Sequence, residues 1–191
     1  MPISTILDAH APVIRLTGEI DLPVSYALLD ELNLLHDYYQ FREVELHIDS
    51  PGGSADALQF LVHALAPWRK GEGRVLRTFG MQDVASAAAM LLSFGTVGHR
   101  AAAKHSRLLY HSVRTVQRET TIHTVAQLRR ATRSLEDCDR YFVDLLIEHT
   151  CDTADSTGVS AYRRKLTRLM RRDRYISPEQ AHALRLIDRV V

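Results

Sequence analysis

The chain has 191 residues, 46% of them hydrophobic and 25% charged, with a formal net charge of +1. That length suits one ordinary domain with a real core. The near-zero charge gives no bulk electrostatic case for a nucleic-acid or anionic-membrane partner. Two cysteines, Cys138 and Cys151, are too few for a disulfide framework and lack metal-site spacing, which fits a reducing compartment. The opening MPISTILDAHAP has no basic start followed by an apolar stretch, so no signal peptide is expected. The most apolar run, Val84 to Leu92, is far too short to span a bilayer. A cytoplasmic protein is the expectation.

Taken in chain order, Val13 to Leu16 reads as a first strand ending at Thr17-Gly18. Leu22 to Tyr39 has leucines at 28, 29, 32 and 35, which is helix spacing. Glu43 to Ile48 alternates apolar residues at 44, 46 and 48, a strand pattern, and Asp49-Ser50-Pro51-Gly52-Gly53 breaks it. Ser54 is placed to cap a helix running to about Leu65. Val75 to Phe79 reads as a third strand that Gly80 interrupts, and Val84 to Phe94 as an Ala-rich helix stopped by Gly95 and Gly98. Arg107 to Tyr110 is a further short strand ending at His111. Residues 118 to 149 read as one long helical segment and 151 to 158 as a polar loop. Ala161 to Arg172 reads as a basic helix. Ser177-Pro178-Glu179-Gln180 is a capping box opening a short helix, before a terminal strand from Ile187 to Val191.

The alternation of strand and helix implies an α/β domain with a mainly parallel sheet covered by helices. Sites in such sheets form at strand ends. Three features lie just after strands. Gly52-Gly53 sits between strand and helix, where backbone N–H groups can face developing negative charge as an oxyanion hole, or where glycine merely makes a tight turn. Ser86 lies in VASAAAM near a helix start, with small neighbours that leave room for a substrate or simply for close packing. His111 follows the apolar LLY, where an imidazole can act as general base, although nine other histidines dilute that signal.

Together these segments resemble the ClpP family of serine peptidases, which has the ClpP/crotonase-type fold. PVIRLTGEID (12 to 21) is similar to that family's first strand, and ELHIDSPGGSADAL (45 to 58) to its strand, glycine turn and helix. QDVASAAAMLLSFGTVGHR (82 to 100) is similar to the nucleophile helix, and SRLLYHS (106 to 112) to the histidine strand. RRDRYISPEQAHALRLIDRVV (171 to 191) resembles the C-terminal end. The resemblance covers about 12 to 191 and is poor at 113 to 165. It implies a single domain over 1–191, with a protruding handle-like helical segment at about 113–150. It also implies Ser86 as nucleophile, His111 as base, and the N–H groups of Gly53 and Ala87 as oxyanion hole. The reaction it implies is peptide-bond hydrolysis through an acyl-enzyme, with no cofactor and no metal.

Three departures qualify that expectation. Where the family has its triad aspartate, this chain has Leu169. Asp173, four residues on, is the displaced candidate; Asp83, Asp152 and Asp155 are alternatives. The alternative readings are therefore a catalytically weakened or inactive structural or regulatory subunit, and a crotonase-type acyl-CoA enzyme using the same oxyanion logic. Ahead of Pro12 there is no counterpart of the family's helix and pore-lining loop, which leaves an ATPase unfoldase partner open. After His111 comes SVRTVQRETT, without the family's proline and glycines, so substrate alignment and the ring junction are open too.

The long segment corresponds by resemblance to the helix that joins stacked rings, so a homo-oligomer, ring or stacked rings, acting on peptide or unfolded-protein substrates is expected. Residues 161 to 174 carry seven basic residues and one acid, but Leu166, Leu169 and Met170 form an apolar stripe. A solvated basic face on an amphipathic helix accounts for that better than nucleic-acid binding.

Overall fold

The computed structural model describes residues 2–8, 11–70, 73–114, 124–151 and 156–191. They divide into two compact units, residues 1–110 with 174–191, and residues 111–173.

The first unit is built on a seven-stranded sheet. Its strands are β1 (Ile3–Ile6), β2 (Val13–Ile20), β3 (Glu43–Gly53), β4 (Val75–Ala85), β5 (Arg100–Ala102), β6 (Arg107–Leu109) and β7 (Arg189–Val190). The order is β1-β2-β3-β4-β5-β7, with β6 also paired to β4. Only the β1–β2 pairing is antiparallel. The helices between strands are α1 (Leu22–Asn33), α2 (Ala55–Ala64), α3 (Ala66–Arg69) and α4 (Ala87–Ser93); α7 (Pro178–Ala183) precedes β7.

Side-chain hydrogen bonds start the helices where the sequence predicts. Asp21 accepts from Val24 N at the head of α1, Ser54 from Asp56 N and Ala57 N at the head of α2, and Ser177 and Gln180 form the capping box of α7. The helix expected over Leu22 to Tyr39 changes character at Asn33, continuing as a π-helical turn, Leu34–Tyr38.

The core of this unit lies between one face of the sheet and the helices. Ile14, Leu16, Val44, Leu46, Ile48 and Leu76 from the strands are fully buried, as are Leu28, Leu32, Leu61 and Leu92 from the helices. Each such side chain contributes about 2 kcal/mol of transfer free energy. Burial alternates along β3, so Glu43, Glu45, His47 and Asp49 on its other face stay half-exposed. The expectation of a sheet covered by helices therefore holds for one face of this strand. Alternating polar residues leave the other facing a cavity of about 300 Å³ that includes Glu45, His47, Arg77 and Phe79.

Several elements differ from the sequence reading. Strand β1 precedes the expected first strand. Strand β3 runs on through Pro51 to Gly53, because Gly52 and Gly53 pair with Glu19 and Ile20 of β2 while Ser50 stays opposite Val84 of β4. Strand β4 runs through Gly80 to Ala85, so Val84 and Ala85 are strand rather than helix and α4 begins at Ala87. At Gly80 a side chain would press on Leu92 of α4 at 3.1 Å, so the glycine serves close helix–sheet packing instead of ending the strand. Strand β5 was hidden because its three residues follow the expected glycine stop with no alternation to reveal them.

In the second unit, α5 (Val125–Thr150) and α6 (Ser156–Arg172) pack together. The expected helix at 118 to 149 thus starts at Val125 within the described residues, behind the Thr124–Gln127 capping box. The part of that expectation at 118–123 lies outside the described residues, as do Asp152 and Asp155 of the expected loop. Helix α6 begins five residues earlier than its basic pattern suggested. Leu166, Leu169 and Met170 are buried on it as the stripe predicts, while Arg171 and Arg172 are exposed.

One ion pair ties the C-terminal segment to the sheet. Arg100, 2% exposed, donates from Nη2 and Nε to the Asp188 carboxylate at 2.6 and 2.8 Å. Gly98 N and Arg100 N donate to the same carboxylate at 2.8 and 2.9 Å. Burial pushes the Asp188 carboxyl up, but the bonds from Arg100 and Gly98 outweigh it and hold the group below the usual carboxylate range. A lowered carboxyl stabilises the fold above its unfolded value of about 3.9 and loses that contribution as pH falls through its lower folded value. Asp188→Asn leaves the guanidinium buried without its counter-charge, so at pH 7 the variant is expected to lose about 3 kcal/mol in urea unfolding. Its stability should also fall less steeply than that of the native chain below about pH 4. Equal stability at pH 7 would refute the assignment.

Candidate active site

Ser86 stands between the end of β4 and the first turn of α4, with φ 58° and ψ −126°. Positive φ in a residue with a Cβ costs on the order of 1–3 kcal/mol and persists only where surrounding structure enforces it. Here the enforcement is visible. Ser86 N donates to Leu109 O of β6 at 2.7 Å, and Ser86 O accepts from Met90 N inside α4 at 3.1 Å. The strand on one side and the helix on the other hold the sharp turn between them. A serine on a strained strand-to-helix turn presents its hydroxyl away from both elements, the arrangement of a nucleophile elbow.

The end of β3 closes on this turn. Gly52 has φ +92°, and a Cβ there would lie 2.6 Å from Ser86 Cβ and 2.8 Å from Ala87 N. No larger residue fits. Gly53 meets a different wall, because an added Cβ would overlap the backbone of Ile20. The Ser50 hydroxyl anchors the loop, donating to Gly18 O at 2.5 Å and accepting from Gly52 N at 3.1 Å. Asp49 accepts from Asp83 N at 2.9 Å and ties β3 to β4 just before the turn. Gly52, Ser86 and Ala87 are thus brought together. Gly53 is still in β3, paired with Ile20 of β2, so the tight turn expected at the glycine pair is not at Gly53, and Gly52 with its positive φ makes the close approach to the serine. Ala87 N belongs to the first residue of α4, whose N–H has no acceptor within its own helix.

Two of the aspartates considered for the acid role, Asp83 and Asp173, have other partners, and Asp152 and Asp155 lie outside the described residues. Arg107 grips Asp83 with two bonds of 2.7 Å between register neighbours on β4 and β6, which lowers the Asp83 carboxyl. Asp173 forms an exposed ion pair with Arg114. Leu169, at the position where an acid was expected, is 8% exposed among the apolar residues of α6.

His111 begins the second unit, two residues after the β6 carbonyl that holds Ser86 N. Its Nδ1 lies 2.6 Å from Ser112 O. A carbonyl only accepts, so this bond requires the proton on Nδ1, which in the neutral ring leaves the lone pair on Nε2. Ser112 N donates to Met170 O of α6 at 3.2 Å, and Val113 N donates to Asp139 Oδ1 of α5 at 2.7 Å. Asp139 was missed in the sequence because nothing in its spacing separates it from Glu136 and Asp137 on the same exposed helix.

Among the described residues no three His, Cys, Asp or Glu side chains gather as a metal-binding group, and no helix is long and apolar enough to cross a membrane.

Comparison with known proteins bears directly on this arrangement. The family model for Clp protease matches residues 3–191. The ATP-dependent Clp protease proteolytic subunit 4 of Rhodococcus jostii is 30% identical over 179 residues, covering 94% of this chain and 84% of that protein. Proteolytic subunit 2 of Corynebacterium efficiens is 28% identical, covering 94% and 81%, and proteolytic subunit 1 of Corynebacterium glutamicum is 28% identical, covering 93% and 78%. With the family model spanning nearly its whole length, the chain belongs to the Clp protease family.

Proposed function

We propose that the chain is a serine-type peptidase in which Ser86 is the nucleophile and His111 the general base. The observation that carries the reading is the strained turn at Ser86 with Gly52 pressed against it, in a chain of the Clp protease family. In the proposed reaction His111 Nε2 takes the Ser86 proton as Oγ bonds to the substrate carbonyl carbon. The tetrahedral oxyanion is held by the N–H groups of Gly53 and Ala87. The C–N bond then breaks, the proton passes to the leaving amine, and water releases the acyl group by the same steps in reverse roles. Family membership further supports an oligomeric, cytoplasmic ring acting on peptide or unfolded-protein chains; the relatives' names describe an ATP-dependent protease.

A second reading has one observation in its favour. Leu169 fills the acid's expected place with a buried apolar side chain, and Asp173 is engaged by Arg114. A subunit of this kind would assemble but not cleave. A fluorophosphonate probe separates the two readings. The peptidase reading expects covalent labelling at Ser86, lost in Ser86→Ala and slowed about a thousandfold in His111→Ala. A specific oligomer with no labelling at Ser86 would establish the non-catalytic reading instead.

The turn itself makes a separate prediction. In Gly52→Ala the new methyl must displace Ser86 or Ala87, and misplacing a nucleophile by about 1 Å costs on the order of a hundredfold in rate. Labelling should fall by that much in a variant whose circular dichroism is unchanged. A variant that labels at the native rate would show that the glycine is dispensable to the serine's placement.

A further inference from the structure

The second unit contains an acid connected to His111 through the backbone. The peptide group between Ser112 and Val113 makes two hydrogen bonds at once. Its carbonyl accepts from His111 Nδ1 at 2.6 Å, and its N–H donates to Asp139 Oδ1 at 2.7 Å. An amide polarises as a unit. An anion pulling on the N–H drives nitrogen electron density toward the carbonyl oxygen, which then accepts more strongly. From the carboxylate on α5 to the imidazole there is a continuous line of donors and acceptors with one peptide bond in the middle.

We propose that Asp139 is the positioning residue for His111, acting through the Ser112–Val113 peptide in the role the missing aspartate would fill directly. The inference rests on the peptidase reading for its catalytic meaning, but the hydrogen-bond line exists independently of it. Its work is of two kinds. The carbonyl fixes the tautomer with the proton on Nδ1, so that Nε2 is the basic nitrogen. When Nε2 gains the serine proton, the imidazolium donates from Nδ1 to a carbonyl that an anion has made more negative, and the positive charge is stabilised. No proton travels along the line.

The segment is held for this purpose on both sides. Ser112 N is bonded to Met170 O of α6, and Val113 N to α5. Ser112 and Asp139 share a cavity of about 370 Å³ with Glu136, Arg140, Arg163 and Arg171. Arg163 is paired with Asp144 and Arg140 with Asp137, while the Arg114–Asp173 pair lies next along the chain. These are the charges around the line, and none of them replaces the bond from Asp139 to Val113 N.

Asp139→Asn tests the relay, because the amide keeps an acceptor oxygen at the same place and removes only the charge. Fluorophosphonate labelling of Ser86 in the full chain should slow about tenfold in Asp139→Asn. It should slow further in Asp139→Ala and recover in part in Asp139→Glu. In a Ser86→Ala background, the ¹⁵N signals of His111 should show the proton on Nδ1 in the neutral ring, and its proton resonance should move upfield when Asp139→Asn is added. An unchanged labelling rate and an unchanged resonance in folded Asp139→Asn would overturn the relay. A neutral ring protonated on Nε2 in otherwise native protein would overturn it without any Asp139 variant. Absence of Ser86 labelling in the native chain would defeat the peptidase reading alone, since the His111 signals still report on the relay.

Discussion

The contact between the end of β3 and the turn at Ser86 constrains most of what surrounds it. Two backbones approach so closely there that one of them must lack a side chain, and Gly52 provides the gap. The approach also requires the register of β3 on β4 to shift near Ser50, so that the strands separate as α4 begins. Strand β6 then matters for more than its three residues. Its Leu109 carbonyl takes the Ser86 N–H, which ties the serine's strained backbone to the strand that leads into His111. If Ser86 is the nucleophile proposed, being held by three segments means that it loses little entropy on reaching its reactive geometry.

The rest of the first unit holds that contact in place. Arg100 and Asp188 secure β5 and the C-terminal segment, and β7 closes the sheet edge beside β5. A buried ion pair is a weak source of net stability compared with apolar packing, but it is specific. Four bonds converge on one carboxylate, from a side chain and two backbone amides. They set how β5 and the final residues align. The helix face of the sheet supplies the bulk of the stabilisation through its buried leucines and isoleucines.

How much of this was legible depended on the kind of signal each residue carries. The strands at Val44-Leu46-Ile48 and at Leu108 were readable because alternation and apolar runs report directly on a pleated, half-buried backbone. Helix starts at Asp21, Ser54, Thr124 and Ser177 reflect local hydrogen bonds; the sequence marks the caps at Ser54 and Ser177 and a helix start beside Asp21, but it puts the start of the long helix at 118, ahead of Thr124. Gly80 misled, since a glycine that makes room for Leu92 looks the same in sequence as one that ends a strand. The strand continuation to Ala85 was hidden for a related reason: alanine and valine suit both states, and pairing with β6 decided between them. Ser86, His111 and the glycine pair stood out by position after strands, whereas Asp139 did not. Its role depends on a bond to a backbone N–H twenty-six residues away, and side-chain spacing cannot encode that.

The loss of an acid from a Ser-His-acid line need not leave the histidine unsupported, and the chemistry says why. What the imidazole requires is an acceptor at Nδ1, to choose the tautomer, and negative potential, to stabilise the charged form. A carboxylate supplies both in one group. In the proposed relay the two requirements fall to separate groups, the Ser112 carbonyl beside Nδ1 for the first and Asp139, bonded to the N–H of the same peptide, for the second. The division has a consequence for strength. Potential transmitted through a peptide is weaker than that of an anion in direct contact. Leu169 lies in the apolar stripe of α6 with Leu166 and Met170, where an unpaired carboxylate would carry the cost of burial.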